Sequence, residues 1–158
     1  MPEKTNEGRK GGQPALIFVD GASSGNPGPA GIGVLIRWAQ NGHQEEVALE
    51  EPLRKATNNE AEYRALIRAL EECQRLGLPS AKVHMDSELV AKQMRGEYRV
   101  KDDKLLPLYI RARELVKSIP KVEIFFIPRE ENKLANNLAQ NAARIARFQN
   151  GGVAGEGR

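Results

Sequence analysis

Residues 15–49 read ALIFVDGASSGNPGPAGIGVLIRWAQNGHQEEVAL, and the architecture turns on how this stretch is divided. Ala15 to Val19 is a short apolar run closed by Asp20-Gly21, the pattern of a buried strand. Ser23 to Pro29 is dense in turn formers. Gly31 to Trp38 is again apolar and branched, and Asn41-Gly42 separates it from Glu45 to Leu49. Asn-Gly between two such runs is a strong hairpin signal, because both residues tolerate the positive φ of a tight turn. Three antiparallel strands are therefore expected before any helix.

Downstream the period lengthens. Thr57 and Glu60 have capping-box spacing, and Ala61, Ala65, Leu66, Ala69, Leu70 and Cys73 recur at three- and four-residue intervals until Gly77 and Pro79. Lys82 to Met85 reads as a fourth strand, Glu88 to Met94 as a short helix ended by Gly96, and Leu105 to Val116 as a second. Val122 to Ile127 is a fifth strand and Leu134 to Ile145 a last helix. The order βββαβααβα predicts an α/β fold. Its mixed five-stranded sheet holds a three-stranded antiparallel meander and two parallel strands, flanked by helices. Residues 1–14 and 149–158 are expected as flexible tails around a domain at 15–148, the second of them rich in glycine.

The chain has 158 residues, with 40% hydrophobic and 28% charged, the composition of an ordinary globular domain. No apolar run approaches the ~18 residues of a membrane span. Met1 to Lys10 lacks the apolar centre of a secretory signal, and Cys73 has no second cysteine to pair with. A cytoplasmic monomer with no membrane partner is the expectation. A net charge of +3 permits nucleic acid as a partner without demanding it.

Asp20 and Asp86 each follow an apolar strand, where ligands of open α/β sheets gather; if those strands are neighbours, both carboxylates face one cleft. Glu62 lies in line with Leu66, Leu70 and Cys73, so it points toward the sheet. Glu60 is turned about 200° away and is free to serve the cap. A carboxylate aimed at a buried face needs a counter-charge. No histidine or lysine is placed to supply one, and an all-oxygen cluster suits Mg2+ or Mn2+ better than zinc. Singly, each residue has a plainer reading: Asp20-Gly21 as a turn, Asp86-Ser87 as a helix cap, Glu62 as a half-buried glutamate. Cys73 reads as packing, and neither His43 nor His84 as a catalyst.

Together, the motifs resemble those of type 1 ribonuclease H. Asp20 to Gly31 resembles the family's first-strand motif, Thr57-Asn58-Asn59-Glu60-Ala61-Glu62 its first-helix motif, and Met85-Asp86-Ser87 its fourth-strand motif. Asn132 to Ala139 is similar to its last-helix motif, Asn-x-x-Ala-Asp-x-Leu-Ala. The resemblance spans about residues 15–146. It implies endonucleolytic hydrolysis of the RNA strand of RNA/DNA hybrids with two Mg2+ ions roughly 3.5–4 Å apart, Mn2+ substituting. Asp20, Glu62, Asp86 and the residue at 136 would be the catalytic metal ligands. Asn26, Asn58 and Asn59 would contact the minor groove and its 2′-hydroxyls, with Thr57 near a phosphate. For Thr57, Asn58 and Asn59, roles at a helix N-terminus remain open alongside these. Double-stranded RNA is a further candidate substrate.

Three departures qualify the resemblance. Position 136 carries Asn136 where the family has its fourth aspartate, so the site is one carboxylate short. The expectation is an Asp-to-Asn form with impaired cleavage and retained binding; the alternative is a non-cleaving hybrid-binding module in which Asn136 is natural. Residues 87–106 carry Lys92, Arg95, Arg99, Lys101 and Lys104 against Glu88, Glu97, Asp102 and Asp103, without the basic protrusion of many relatives. Finally, Arg129 stands where many relatives place a mobile histidine. It could meet a phosphate or the departing product, or simply pair with Glu130.

Overall fold

A computed structural model describes the backbone of residues 13–156 and the side chains of residues 13–150. The elements run β1 (Ala15–Ser23), β2 (Gly28–Gln40), β3 (His43–Ala56), α1 (Asn58–Leu76), β4 (Ser80–Met85), α2 (Glu88–Met94), α3 (Leu106–Ser118), β5 (Lys121–Phe126), a 3-10 turn (Arg129–Glu131) and α4 (Lys133–Glu156). The five-stranded sheet has the order β3-β2-β1-β4-β5. β1, β2 and β3 are antiparallel, while β4 pairs in parallel with both β1 and β5. This is the expected α/β sheet.

Local chemistry accounts for the boundaries that matched. Asn41 (φ 51°) and Gly42 (φ 79°) both adopt the left-handed conformation that a two-residue hairpin requires. Thr57 and Glu60 close a reciprocal capping box on α1, and Gly77 at φ 70° ends that helix.

The strands are longer than their apolar runs. β3 was expected over Glu45 to Leu49, yet it pairs with β2 from His43 to Ala56, with one register shift near the far end. It is an edge strand, so one side is free to be polar and Pro52 is tolerated. β1 does not stop at Val19 but pairs with β2 as far as Ser23↔Ala30. Asp20 is therefore a mid-strand residue, not the first residue after a strand.

One sheet face carries Ile17, Val19, Val34, Ile36, Val83 and Met85 into the main core with Leu66, Leu70 and Leu115. On the other face α4 lies across β2, with Ala135, Ala139, Ala142 and Ala146 buried beneath it. Gly31 and Gly33 permit this close approach. A Cβ at Gly33 would lie 2.7 Å from the Ala139 nitrogen and closer still to the Ala135 carbonyl oxygen. Both neighbours are backbone, so the helix itself would have to move. Gly33→Ala is expected to cost about 1–3 kcal/mol or more, read as a lower urea midpoint; an unchanged midpoint would contradict this packing.

The last helix continues well beyond Ile145, to Glu156, and so enters the stretch expected as a tail. The Asn150 amide donates to the Arg54 carbonyl and ties this end to β3. Of the N-terminal segment expected as a tail, residues 1–12 lie outside the described residues. Among the described residues no helix is long and apolar enough to cross a membrane.

Candidate functional site

The parallel ladder between β1 and β4 ends at Val19↔Met85. Asp20 and Asp86 are the next residue on each strand, so two neighbouring chains deliver their carboxylates side by side. Gly21 admits the third: with no side chain there, the Ala61-Glu62 backbone of α1 lies directly against it. Glu62 thereby reaches the sheet, and oxygens of Asp20, Glu62 and Asp86 all lie within 4.8 Å of one another. Asp20 and Glu62 are buried and Asp86 is half-buried.

Three carboxylates this close repel. Burial first, then the negative charge of Asp20 and Asp86, holds the Glu62 carboxyl well above its usual range, with the Gly21 amide opposing. Asp86 is raised by burial and by Asp20, against the Asn132 hydrogen bond and the Arg129 charge. Asp20 Oδ1 and Glu62 Oε1 are buried without a hydrogen-bond partner. Converging, unpartnered carboxylate oxygens form a donor set that fits a hard divalent cation such as Mg2+ or Mn2+.

Asn136, on the second turn of α4, donates from Nδ2 to Asp20 Oδ2 at 2.6 Å. Its side chain thus reaches the cluster, but as a neutral donor that adds no negative charge. Arg129, on the 3-10 turn, lies close enough for its charge to act on Asp86. It makes no ion pair with Glu130 among the described residues.

The helix entrance forms a second group. The Asn26 Oδ1 accepts from the Asn58 backbone N–H at 2.9 Å, and the Asn58 Oδ1 accepts from the Ser23 N–H at 3.1 Å. These bonds fasten the β1–β2 turn to the start of α1 next to Glu62. Thr57 accepts from the Glu60 N–H while Glu60 accepts from the Thr57 N–H, the division of labour between Glu60 and Glu62 that the spacing implied. Asn59 borders a groove of about 980 Å³ that also includes Tyr98, Arg99 and Lys101.

One residue in contact with the carboxylate cluster escaped sequence reasoning. Asn132 is buried, and its Nδ2 donates both to the Val19 carbonyl at 2.9 Å and to Asp86 Oδ2 at 3.3 Å. It holds Asp86 against the end of β1. Its sequence signal was its place at the head of the last-helix motif, where no separate role was assigned to it. His84 is held by the Ile17 carbonyl and stacked between Phe18 and Phe125, and Cys73 is buried with its thiol pushed up to about 11. The burial of Cys73 agrees with the packing role expected for it.

Residues 18–142 match the family described as reverse transcriptase-like. The bifunctional protein Rv2228c of Mycobacterium tuberculosis is 40% identical over 131 residues, covering 83% of this chain and 36% of that protein. The chain thus spans only about a third of that relative's length. Ribonuclease HI of Halobacterium salinarum is 39% identical over 125 residues, 79% of this chain and 62% of that protein. Among solved structures, the N-terminal RNase H domain of Rv2228c aligns with a TM-score of 0.80 at 38% identity, over 85% of this chain and 96% of that one. LC11-RNase H1, solved with an RNA/DNA hybrid, aligns with a TM-score of 0.73 at 39% identity, over 84% of this chain and 98% of that one.

Proposed function

The chain belongs to the reverse transcriptase-like family and, within it, to the ribonuclease HI group, and from that membership we propose that it is an endonuclease for the RNA strand of RNA/DNA hybrids. The observation that carries this reading is the convergence of Asp20, Glu62 and Asp86 within 4.8 Å of one another beside the α1 entrance. In this reading Asp20, Glu62 and Asp86 hold Mg2+, or Mn2+ in its place, with Asn136 a weak fourth partner. Divalent ions held by Asp20, Glu62 and Asp86 would supply Lewis acidity, lowering the pKa of a bound water and compensating charge on the departing 3′ oxygen. Arg129 draws the scissile phosphate toward Asp86, and Asn132 keeps Asp86 in place.

Asn26, Asn58 and Asn59 face the minor groove, where hydrogen bonds to 2′-hydroxyls distinguish RNA from DNA. Thr57 lies near a phosphate, at a helix N-terminus suited to anions. The balanced charge of residues 87–106 means that no basic protrusion assists binding, so affinity depends on the cleft and falls steeply with salt. Turnover is reduced because Asn136 leaves the ligand set one carboxylate short. We place the protein in the cytoplasm as a monomer.

The test is a cleavage panel of labelled RNA/DNA hybrid, double-stranded RNA and double-stranded DNA in Mg2+. Slow cleavage confined to the RNA strand of the hybrid is expected, with double-stranded RNA cut more slowly if at all. Cutting of double-stranded DNA would overturn the reading.

A further inference from the structure

The far end of α4 builds a cationic recess that the carboxylate cluster does not use. A cavity of about 550 Å³ is lined by Gly28, Pro29, Arg54, Lys55, Gln149 and Asn150, with no acidic residue among them. One turn earlier on the helix, the Arg147 guanidinium donates to Ser24 Oγ at 3.3 Å, in the β1–β2 turn that leads into Gly28 and Pro29 at the start of β2. Arg54 and Lys55 are exposed, and neither they nor Arg147 form an ion pair among the described residues. Most other arginines of the α1 and hairpin surfaces contrast with them: Arg37, Arg68 and Arg75 are each matched to a glutamate.

The recess is fixed in place. The Asn150 amide holds the helix to the Arg54 carbonyl, and the Ser24 N–H donates to the Pro29 carbonyl at 2.7 Å. It adjoins the substrate entrance, since the same turn carries Asn26, which is bonded to the first residue of α1.

We infer that Arg54 and Arg147, beside Lys55, form an auxiliary phosphate-binding site for the duplex backbone outside the cleft. This rests on the hybrid-binding reading above and adds to it a dependence on duplex length. Unpaired guanidinium groups on rigid elements suit phosphate oxygens, and each phosphate they neutralise steepens the salt dependence of binding.

The experiment measures fluorescence anisotropy with uncleaved hybrids in Ca2+, comparing a duplex of about one helical turn, roughly 10 base pairs, with one twice as long. The doubly substituted Arg54→Gln/Arg147→Gln protein is compared with the unsubstituted chain and with the charge-preserving Arg54→Lys/Arg147→Lys protein. On the long duplex, the glutamine protein should show a log K against log salt slope shallower by about 0.9 for each phosphate no longer neutralised, close to 2 for the pair. The lysine protein should retain most of the slope, and the short duplex should not distinguish the three. Thermal melting checks that all three are folded. An unchanged slope on the long duplex overturns the inference while leaving the hybrid-binding reading intact. An equal reduction on both lengths also overturns it, by placing these cations in the cleft. Failure of the unsubstituted chain to bind either hybrid removes the underlying reading itself.

Discussion

Asn136→Asp is expected to raise the rate of hybrid cleavage in Mg2+ by more than the roughly 10–100-fold typical of changes to groups that only support metal ligands. The amide now donates to Asp20 Oδ2. It thereby occupies an oxygen of the residue most central to the cluster, and contributes no charge. A carboxylate at 136 would reverse both effects: it would free that oxygen and add a fourth negative group. In the metal-free protein the same substitution should be destabilising at neutral pH, because it replaces a hydrogen bond with repulsion between carboxylates. In Mg2+ that penalty should shrink. Initial rates on a labelled hybrid, together with calorimetric counting of bound ions, provide the check. Equal rates for both proteins would show that Asn136 does not limit turnover; one ion bound before substitution and two afterwards would locate the effect in metal binding.

Glu62→Gln should abolish saturable Mg2+ or Mn2+ binding while making the metal-free protein more stable. The Glu62 carboxyl is held well above its ordinary 4.5, chiefly by burial and then by Asp20. A raised value in the folded state means that the native protein binds this proton more tightly than the unfolded chain does. Its contribution to stability is therefore fully present below about pH 4.5 and is lost as pH rises through the folded-state value. As pH rises through that value the metal-free protein takes on the repulsion among the three carboxylates, and Glu62→Gln removes it. For a chain of this size, each kcal/mol relieved corresponds to about 2–4 °C in Tm. Divalent ion should act differently on the two proteins. At a hundred times its Kd it should stabilise the unsubstituted chain by about 2.7 kcal/mol and leave Glu62→Gln almost unchanged. Melting curves at pH 5 and pH 8, with and without Mg2+, separate these effects. A substituted protein that is less stable than the original at pH 8 without metal would show that the three carboxylates are not in conflict.

The divided roles of Glu60 and Glu62 show how far local pattern carries. Two residues apart on a helix, they point in nearly opposite directions, and the cap formed by Thr57 takes one and leaves the other for the sheet. Asp20 and Asp86 could be paired in advance only on the condition that their strands are neighbours. The register Val19↔Met85 meets that condition. Arg129 was open between a solvated loop and the site, because a 3-10 turn bends the chain there in a way that no apolar period marks.

The order of elements, the hairpin at Asn41-Gly42, the capping box and the separation of Glu60 from Glu62 were all set by the amino-acid sequence itself, since each depends on residues within a few positions of one another. What only the tertiary structure decided depends on residues far apart in the chain. β3 extends beyond its apolar run because β2 offers it a full ladder. α4 settles where Gly31 and Gly33 leave room, and its far end is anchored at Arg54. Asn132 acquires a role only when the fold brings it to Val19, 113 positions away, and to Asp86. Local chemistry can specify a turn or a cap, but whether a buried amide serves the helix it precedes or the carboxylate it meets depends on which partner packing brings within hydrogen-bonding distance.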